Sequence, residues 1–455
     1  MRKRAQNAEP SERRHKVNAV ILAGGKGSRL AARSQGLPKP LVPVNGKPLL
    51  EYQLELLARH GAAQVTLLCG YGAAVIREFA GDGSRWGLRV ECVDETTPLG
   101  TAGAVIAALD RLPEEFVVLY GDTMVNVDLE RFYTAHKASK AAATLFLHPN
   151  SHPEDSDLVE SDEHGRVEAI HGYPHPEGVL LPNQVNAALY VLRAEALRGF
   201  AVPEKPLDFA KHLFPEMLRR GVALYGYRSG EYIKDAGTPE RLDQVEQDVL
   251  RGVVARGSLA VRRPAVFLDR DGTINEEVSY ISRPEQLKLI PGAAEAIRLL
   301  RAAGYRIVVI TNQPVIARGE CSERELLSVH DYMERELSLR GAFLDGIYYC
   351  PHHPDKGFGG ERAELKFDCD CRKPNDGMIR QAVRELNLDL ETSWLIGDRT
   401  VDVQTAHNCG IRSVLLRTGA GGKDLRHAAE ADHTHDDLLA AANFILQPAP
   451  SATER

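Results

Sequence analysis

VNAVILAGGKGSRL, residues 17–30, is the stretch that decides the fold of the front half of the chain. It opens with an apolar, β-branched run, which is typical of a buried strand. The run ends in a glycine-rich turn, where backbone N–H groups can approach phosphate oxygens. Tight turns also use glycine for conformation alone, so this loop is a weak signal by itself. Two nearby cations, Arg29 and Lys39, favour the phosphate interpretation, although the sequence has neither a Walker lysine–serine pair nor a clean GxGxxG spacing.

Short apolar runs alternate with helical patterns on the C-terminal side of this stretch. QVTLLCG, FVVLYGD and AATLFLH predict strands, and PLLEYQLELLARHG predicts a helix. A second series starts at PAVFLDRDGT and continues through RIVVITNQ, GIYYCP, SWLIGD and RSVLLRT. This alternation predicts an α/β fold with a parallel sheet covered on both faces in each half. We expect a front domain over residues 17–252, a linker over 253–263 and a back domain over 264–446.

Composition restricts the function classes. The chain has 455 residues and a formal net charge of -7, so we expect more than one domain and no general attraction to nucleic acid. Basic residues crowd residues 1–16, where a disordered leader is favoured over a nucleic-acid arm, and residues 447–455 are predicted to be a disordered tail. No apolar run could span a bilayer, and no signal-peptide core follows the charged start. We therefore expect a cytoplasmic protein with no membrane partner.

The front half resembles the sugar-phosphate nucleotidyltransferases. The family pattern LAGGxGxRLxxxxxxxPKPLxPVxGKPLLEY matches residues 22–52, and LGTAGA, YGD and DAGTPERL follow at residues 99–104, 120–122 and 235–242. The resemblance covers roughly residues 17–250 and implies a Rossmann-like (GT-A-like) domain. In this family a sugar 1-phosphate attacks the α-phosphate of a nucleoside triphosphate, and cations with Mg²⁺ stabilise the developing charge.

The same resemblance implies the site residues. It assigns the triphosphate to Arg29 and Lys39, and Mg²⁺ to Asp122 and Asp235. Alone, Asp122 could be an ordinary loop or helix-cap aspartate, but it directly follows a predicted strand, where open α/β sheets place ligands. The nucleotide is assigned to Gly24, Gly25, Gly27, Gly100 and Thr101.

Two departures from the family pattern concern the sugar site. Family members commonly carry a Glu-Lys-Pro whose lysine binds the sugar phosphate, whereas the matching stretch here is AIHGYPHPEG, without a lysine. The family's Asn-Ala-Gly reads NAALY here, which leaves Asn186 as the candidate sugar contact. Either His171 or another cation replaces the lysine, or sugar binding in this half is weakened.

A different motif opens the back half. VFLDRDGTINEE places Asp269 and Asp271 after an apolar run, and two such carboxylates repel unless a cation joins them or their roles differ. An isolated Asp-x-Asp would be a surface turn, but ITNQ, CRKP and LIGDRTVD follow in order. The four motifs together resemble the haloacid-dehalogenase phosphatases over roughly residues 264–418.

This second resemblance implies a nucleophile, an acid–base and a metal site. Asp269 would form an aspartyl-phosphate, and Asp271 would protonate the leaving alkoxide and activate water. Lys373 would balance the charge, and Mg²⁺ would bind Asp269, Asp271 and Asp398, with Asp402 in support. Phosphate contacts would come from Thr311 and Asn312, with Arg318 as a further candidate whose alternative is an exposed loop arginine.

Three of the seven cysteines, Cys350, Cys369 and Cys371, cluster in the back half beside His352. Reduced, partly buried thiols are the alternative, but three sulfurs and one nitrogen at this spacing favour a structural Zn²⁺. The expected role is to close a specificity loop that fixes Arg372 and Lys373. The pattern resembles the heptose 1,7-bisphosphate 7-phosphatases and the related histidinol-phosphate phosphatases. TNQPVIARG replaces the usual TNQSGIARG, a change beside the phosphate site that could alter substrate preference.

Together the two resemblances imply consecutive steps. Removal of the 7-phosphate from a heptose 1,7-bisphosphate leaves heptose 1-phosphate, which a nucleotidyltransferase would activate, with GTP as the expected donor from pathway order alone. Two alternatives stay open: a phosphatase for histidinol phosphate or another small monoester, and a front half that only binds nucleotide. A homo-oligomer is expected by resemblance only.

Overall fold

The computed structural model describes residues 17–447 except 35, 151, 177, 178, 180, 203 and 358; the predicted leader and most of the predicted tail lie outside them. Within the described residues, nine strands form the front sheet. They are β1 (Asn18–Ala23), β4 (Gln64–Cys69), β5 (Arg89–Asp94), β6 (Glu115–Tyr120), β8 (Ala143–His148), β9 (Leu158–Ser161), β10 (Val167–His171), β11 (Val185–Arg193) and β12 (Leu224–Arg228). Two small ribbons join β2 (Pro43–Val44) to β3 (Lys47–Pro48) and β7 (Thr123–Asn126) to β13 (Tyr232–Asp235).

The front sheet is mixed. Strands β1, β4 and β6 run parallel, as predicted, and β5, which was not predicted, is parallel to β4, but β11 is antiparallel to both β6 and β8. The prediction of a wholly parallel front sheet was therefore wrong. A continuous apolar run such as that of β11 is equally compatible with either direction, because strand direction depends on the connecting segments.

Helices cover both faces of the front sheet, and two apolar clusters fill the space beneath them. They are α1 (Ala31–Ser34), α2 (Leu49–Arg59), α3 (Ala73–Ala80), α4 (Gly100–Ala107), α5 (Leu129–Ser139), α6 (Ala194–Leu197), α7 (Phe214–Arg219), α8 (Pro239–Leu250) and α9 (Val253–Arg256). Helix α5 shows why the boundaries fall where they do. The Asp128 side chain accepts a hydrogen bond from the Arg131 N–H and so caps the first turn.

The back sheet is parallel throughout, in the order β16-β15-β14-β17-β18-β19 within the described residues. Its strands are β14 (Arg263–Leu268), β15 (Arg306–Asn312), β16 (Gly346–Cys350), β17 (Leu388–Gly397), β18 (Arg412–Leu416) and β19 (His433–His435), and its helices are α10 (Ala293–Ala302), α11 (Glu323–Ser338), α12 (Gly377–Leu386), α13 (Thr400–Cys409) and α14 (Leu438–Ile445). All carboxyl ends lie at one edge, where a ligand site is expected. No helix in the described part of the chain is long and apolar enough to cross a membrane.

Hydrogen bonds tie the two sheets' domains together. Glu231 is fully buried, and its Oε1 accepts the N–H groups of Asp128, from the front domain, and Leu259, from the segment before β14, both at 2.7 Å. Arg131 donates to the carbonyls of Arg384 and Glu385 at the end of α12. The residues between α9 and β14 therefore connect two docked domains.

Candidate active sites

The first cavity of the front domain lies at the carboxyl ends of β1, β4 and β6 and has a volume of about 270 Å³. Lys39 extends into it, and its Nζ lies 2.7 Å from Oδ2 of Asp122. The predicted residues that line it are Gly24, Gly25, Lys39, Gly100, Thr101 and Asp122. The structure therefore brings together a glycine-rich loop, a cation and a carboxylate, which suits a phosphate chain with a metal ion.

Two glycines are required by close approach. Gly27 has φ +66°, and a Cβ on it would lie 2.7 Å from Cγ of Lys39. Gly100 has φ +76°, and a Cβ there would lie 2.6 Å from the carbonyl oxygen of Leu207. Both residues shape the cavity by allowing neighbouring groups to come near.

Not every predicted nucleotide residue lines this cavity. Gly27 and Arg29 are outside its described lining, and Arg29 is exposed on the turn after the loop. Thr101 does line it, but its hydroxyl donates to Asp208 at 2.9 Å. Glu95 lines the cavity and was missed: its Oε1 accepts the N–H of Leu99 at 2.7 Å. Its position just after β5 was a usable signal, because β5 ends at the same edge as β4.

A second cavity, of about 440 Å³, is lined by Thr123 and Asp235, and Thr123 directly follows Asp122 of the first cavity in the chain. Asp235 pairs with Thr123 between strands, and the Ala236 N–H donates to the carbonyl of Asp122, so both predicted Mg²⁺ aspartates lie on neighbouring backbone. The two carboxylates bind different side chains: Asp122 contacts Lys39, whereas Asp235 accepts a hydrogen bond from Arg241 at 2.5 Å. This cavity follows β13 and also contains the predicted sugar contact Asn186.

The altered family motifs have definite positions. His171 lies outside the described lining of the second cavity and places its Nε2 3.2 Å from Glu160, so it is poorly placed to replace the lysine. Lys234 does line the cavity, and its side chain is 37% exposed. Ala188 stands at the family's glycine position and adopts φ +56°, a left-handed conformation that is unfavourable for alanine.

In the back domain, Asp269 lies directly after β14 beside Asp398 and Asp402 after β17, with their oxygens within 4.8 Å of one another. Nζ of Lys373 is 2.9 Å from Asp269 and 2.6 Å from Asp402, and all four side chains are buried. Burial, with Asp269 and Asp402, raises the pKa of Asp398 to about 8. Oδ1 of Asp398 is a buried oxygen with no hydrogen-bond partner among the described residues. One lysine cannot neutralise three carboxylates, so the group fits a divalent cation.

The Asp271 carboxylate is not part of this group, although it was predicted as a Mg²⁺ ligand. The fully buried Arg270 binds it through both oxygens, and Asn275 and Gln313 each donate to it at 2.9 Å. Burial opposes ionisation, but Arg270 and these amides together lower the pKa of Asp271. The sequence did not identify the Arg270 and Gln313 side chains, because both act by holding Asp271, and this contact depends on the fold.

The predicted phosphate residues surround the same point. Gln313 donates to the Thr311 hydroxyl at 2.9 Å. Asn312 exchanges two hydrogen bonds with the backbone of Lys373, at 3.0 and 3.1 Å, and so fixes the lysine from β15. The carboxyl ends of β14, β15 and β17 thus bring carboxylates and polar side chains to one edge, where Lys373, from the segment between β16 and α12, adds a cation.

The sulfur and nitrogen atoms of Cys350, His352, Cys369 and Cys371 lie within 4.8 Å of one another. Five of their contacts measure 3.2–3.7 Å. Ligands at 2.1–2.3 Å from a tetrahedral zinc ion are about 3.4–3.8 Å apart, so the side chains fit that metal. His353 is outside the cluster, and its Nδ1 accepts the N–H of Asp355 at 3.1 Å.

The segment around this cluster packs against the turn that follows β15. Arg362 donates its N–H to the carbonyl of Ala317, and a Cβ on Gly319 would overlap the carbonyl oxygen of Gly360. Arg318 lies over the Tyr280 ring, 4.5 Å from its centre, while Arg372 donates to the carbonyl of His352. The cluster therefore holds together its own segment, which carries Arg372, and that segment packs against the turn that carries Arg318.

Comparisons with known proteins agree with this division. A family model described as nucleotidyl transferase matches residues 18–252, and one described as HAD-hydrolase-like matches residues 370–441. The chain is 44% identical over 158 residues to the D-glycero-β-D-manno-heptose-1,7-bisphosphate 7-phosphatase of Pasteurella multocida, which is 34% of this chain and 83% of that protein.

Two solved structures are also similar. The D,D-heptose 1,7-bisphosphate phosphatase from B. bronchiseptica, complexed with magnesium and phosphate, is 35% identical with a TM-score of 0.37, over 41% of this chain and 99% of that one. HddC from Yersinia pseudotuberculosis is 25% identical with a TM-score of 0.44, over 51% of this chain and 99% of that one.

Proposed function

We propose that this chain, which belongs to the nucleotidyl transferase family in its front half and to the heptose-bisphosphate 7-phosphatases in its back half, makes an activated heptose in two steps. The back domain removes the 7-phosphate from D-glycero-D-manno-heptose 1,7-bisphosphate. The front domain then transfers a nucleotidyl group to heptose 1-phosphate and releases pyrophosphate. The observation that carries the proposal is the presence of two separate phosphate-type sites in one chain, at the carboxyl edges of two sheets.

In the back domain, an Asp269 oxygen attacks the phosphorus atom while the bond to the sugar oxygen breaks. Asp271 gives its proton to that oxygen, and in the second half-reaction takes a proton from the water that attacks the aspartyl-phosphate. A bound phosphate brings negative charge near Asp271 and raises its pKa for the first step. Lys373, held by Asp269 and Asp402, offsets the charge of nucleophile and phosphate.

Two metals are part of this proposal. Mg²⁺ would be held by Asp269, Asp398 and Asp402, and when bound it neutralises charge as two anions approach. Zn²⁺ would be held by the Cys350, His352, Cys369 and Cys371 cluster, where it closes the loop against the turn after β15. Substrate contacts are assigned to Thr311, Asn312, Arg318 and Arg372.

In the front domain, a phosphate oxygen of the acceptor attacks the α-phosphorus, and the bond to the β-phosphate oxygen breaks. The triphosphate occupies the first cavity against Lys39 and the glycine loop, and the exposed Arg29, outside the described lining, is kept as a further phosphate contact by the family resemblance. Asp122 and Asp235 would hold Mg²⁺, which when bound stabilises the charge on the phosphates. The acceptor occupies the second cavity, where Lys234 and Arg241 supply the positive charge that the missing family lysine would have given.

The donor is proposed to be GTP. This assignment follows from the order of the two steps, because family members that act on heptose generally make the GDP-α-heptose. The relative from Pasteurella multocida is named for the β anomer. The test must therefore supply both anomers.

The experiment incubates purified protein with each anomer of heptose 1,7-bisphosphate, Mg²⁺ and each of five nucleoside triphosphates, and follows phosphate, pyrophosphate and nucleotide-sugar by mass spectrometry. Phosphate release followed by GDP-heptose is expected. Asp269→Asn should stop phosphate release yet leave nucleotide-sugar formation from heptose 1-phosphate. Lys39→Met should do the reverse. Phosphate without nucleotide-sugar from any donor would overturn the front-domain assignment, and no phosphate from either anomer would overturn the back-domain one.

A further inference from the structure

The second cavity is lined by both domains. It follows β13 from Asp235, beside the nucleotide cavity, to Gly230, a length of about 16 Å at ordinary strand rise. At the Gly230 end its lining includes Arg263, Arg301 and Phe343, which belong to β14 and to elements beyond it. Arg301 donates to the carbonyl of Gly230 at 3.3 Å, so this docking is direct.

This far end carries an excess of positive charge. Arg256, Arg263, Arg301 and Arg306 all line it. The carboxylates beside these arginines are Asp345, which binds Arg301 and Arg306 at 2.7 and 2.9 Å, and the buried Glu231, which already accepts two backbone N–H groups. Asp155, Asp157 and Asp235 also line the cavity, in its other segments. Four guanidinium groups and two engaged carboxylates leave net positive charge in a partly buried space, which an anion would stabilise.

The four arginines divide into two pairs. Arg263 and Arg306 use their donors on the carbonyls of Gly304, Arg256, Gly257 and Ser258, although Nε of Arg306 has no partner among the described residues. Arg301 and Arg256 are more available. The Arg301 side chain is 27% exposed, and the one hydrogen bond described for the Arg256 side chain goes to the carbonyl of Arg251.

We propose that Arg256 and Arg301 form a second phosphate subsite at the far end of the acceptor cavity. The proposal rests on the proposed function, in which the acceptor's reacting phosphate lies at the Asp235 end. The ligand is a phosphate group, carried either by the far end of a sugar bisphosphate or by inorganic phosphate. A bisphosphate held at both ends competes with the monophosphate for the front domain, so nucleotidyl transfer is slow until the back domain has removed the 7-phosphate.

The test uses Asp269→Asn protein, so that the bisphosphate stays intact, and measures nucleotidyl transfer to heptose 1-phosphate. The bisphosphate should inhibit with an inhibition constant about tenfold or more below the KM of the monophosphate, since each added hydrogen bond between charged groups strengthens binding by about that factor. Arg301→Gln and Arg256→Gln should each raise that constant about tenfold or more. The matched control is Arg298→Gln, an exposed arginine on the same helix whose one described ion pair, to Glu295, is 4.0 Å long.

The two sources of phosphate give different results. If inorganic phosphate alone inhibits with the same dependence on Arg301, the subsite takes free phosphate; if only the bisphosphate does, it takes the sugar's far phosphate. Equal inhibition in the parent, Arg301→Gln and Arg256→Gln proteins overturns the subsite while the proposed function stands. If no monophosphate is turned over, the proposed function fails instead, and the subsite is then tested by calorimetric titration with inorganic phosphate. Loss of the heat of binding in Arg301→Gln but not in Arg298→Gln supports the subsite. An unchanged heat of binding in Arg301→Gln overturns it. Each arginine substitution is also made in protein that keeps Asp269, and phosphatase activity of that protein reports that the variant is folded.

Discussion

Ala188 offers a direct test of the acceptor cavity, because the chain has alanine where the nucleotidyltransferase family has glycine. A left-handed φ costs a non-glycine residue about 1–2 kcal/mol, and Ala188 has φ +56°. Replacing alanine by glycine also loosens the unfolded chain, which costs about 0.4–1 kcal/mol. Ala188→Gly should therefore stabilise the front domain by about 0.5–1 kcal/mol. For a domain of this size that is a rise of about 1–4 °C in Tm.

The assay is thermal unfolding together with the KM for heptose 1-phosphate. Ala187→Gly is the matched control, because Ala187 lies in the same strand and cavity with a negative φ and packs against the front core. Ala187→Gly should lower Tm, because glycine makes the unfolded chain more flexible and Ala187 has no backbone strain for glycine to relieve. The KM of Ala188→Gly should stay within about threefold of the parent, because the methyl group carries no charge. Equal destabilisation by the two substitutions would refute the left-handed conformation and the strain argued from it.

Three further predictions concern the back domain. Lys373→Met should lower phosphatase kcat by about 10²–10³, because it removes the buried cation that Asp269 and Asp402 hold, while nucleotidyl transfer continues; Lys356→Met, at an exposed site, should change neither rate. Cys371→Ser should remove about one zinc per chain by mass spectrometry and lower Tm, whereas Cys409→Ser, outside the cluster, should keep the metal. Asp331→Asn should raise Tm relative to the parent more at pH 8 than at pH 5. Burial raises the pKa of Asp331 to about 7, so the folded state prefers the proton and loses stability as pH rises toward and through that value.

Each of these three predictions has an outcome that would contradict it. Full phosphatase activity in Lys373→Met would remove the lysine from the mechanism. Unchanged zinc content in Cys371→Ser would place the metal elsewhere or make the cluster a set of reduced thiols. An Asp331→Asn effect that is equal at both pH values would show that the carboxyl titrates normally in the folded protein.

The local sequence was sufficient to predict a site residue wherever one motif contained both the strand and the functional side chain that follows it. The glycine loop with Lys39, and Asp269 after β14, lie where the patterns predicted, because the carboxyl end of a parallel strand is a fixed position in the fold. Residues that act through a distant partner were harder. Nothing in the sequence near Arg270 indicates that its side chain is buried against Asp271 rather than exposed to solvent. The Asp271 carboxylate was therefore expected to bind the metal.

Domain docking was beyond prediction for a different reason. Arg131 donates to two main-chain carbonyls, and Glu231 accepts from two main-chain N–H groups. Every residue except proline offers both groups, so the sequence of the partner segment carries no signal for such contacts. The direction of β11 is similar: its apolar run fixes burial but not orientation.

The placement of the two sites constrains how one chain can perform both steps. Arg263, at the start of β14, lines the acceptor cavity, and Asp269 follows the end of the same strand, about 20 Å further along. Ala265, Val266, Phe267 and Leu268 fill the distance between them and are fully buried, so the strand separates the sites with packed core. On the proposed function, the phosphatase product therefore leaves at the opposite edge of the sheet from the cavity proposed to use it. The back domain nevertheless completes the lining of that cavity through Arg263, Arg301 and Phe343, which gives the fusion of the two domains a structural reason.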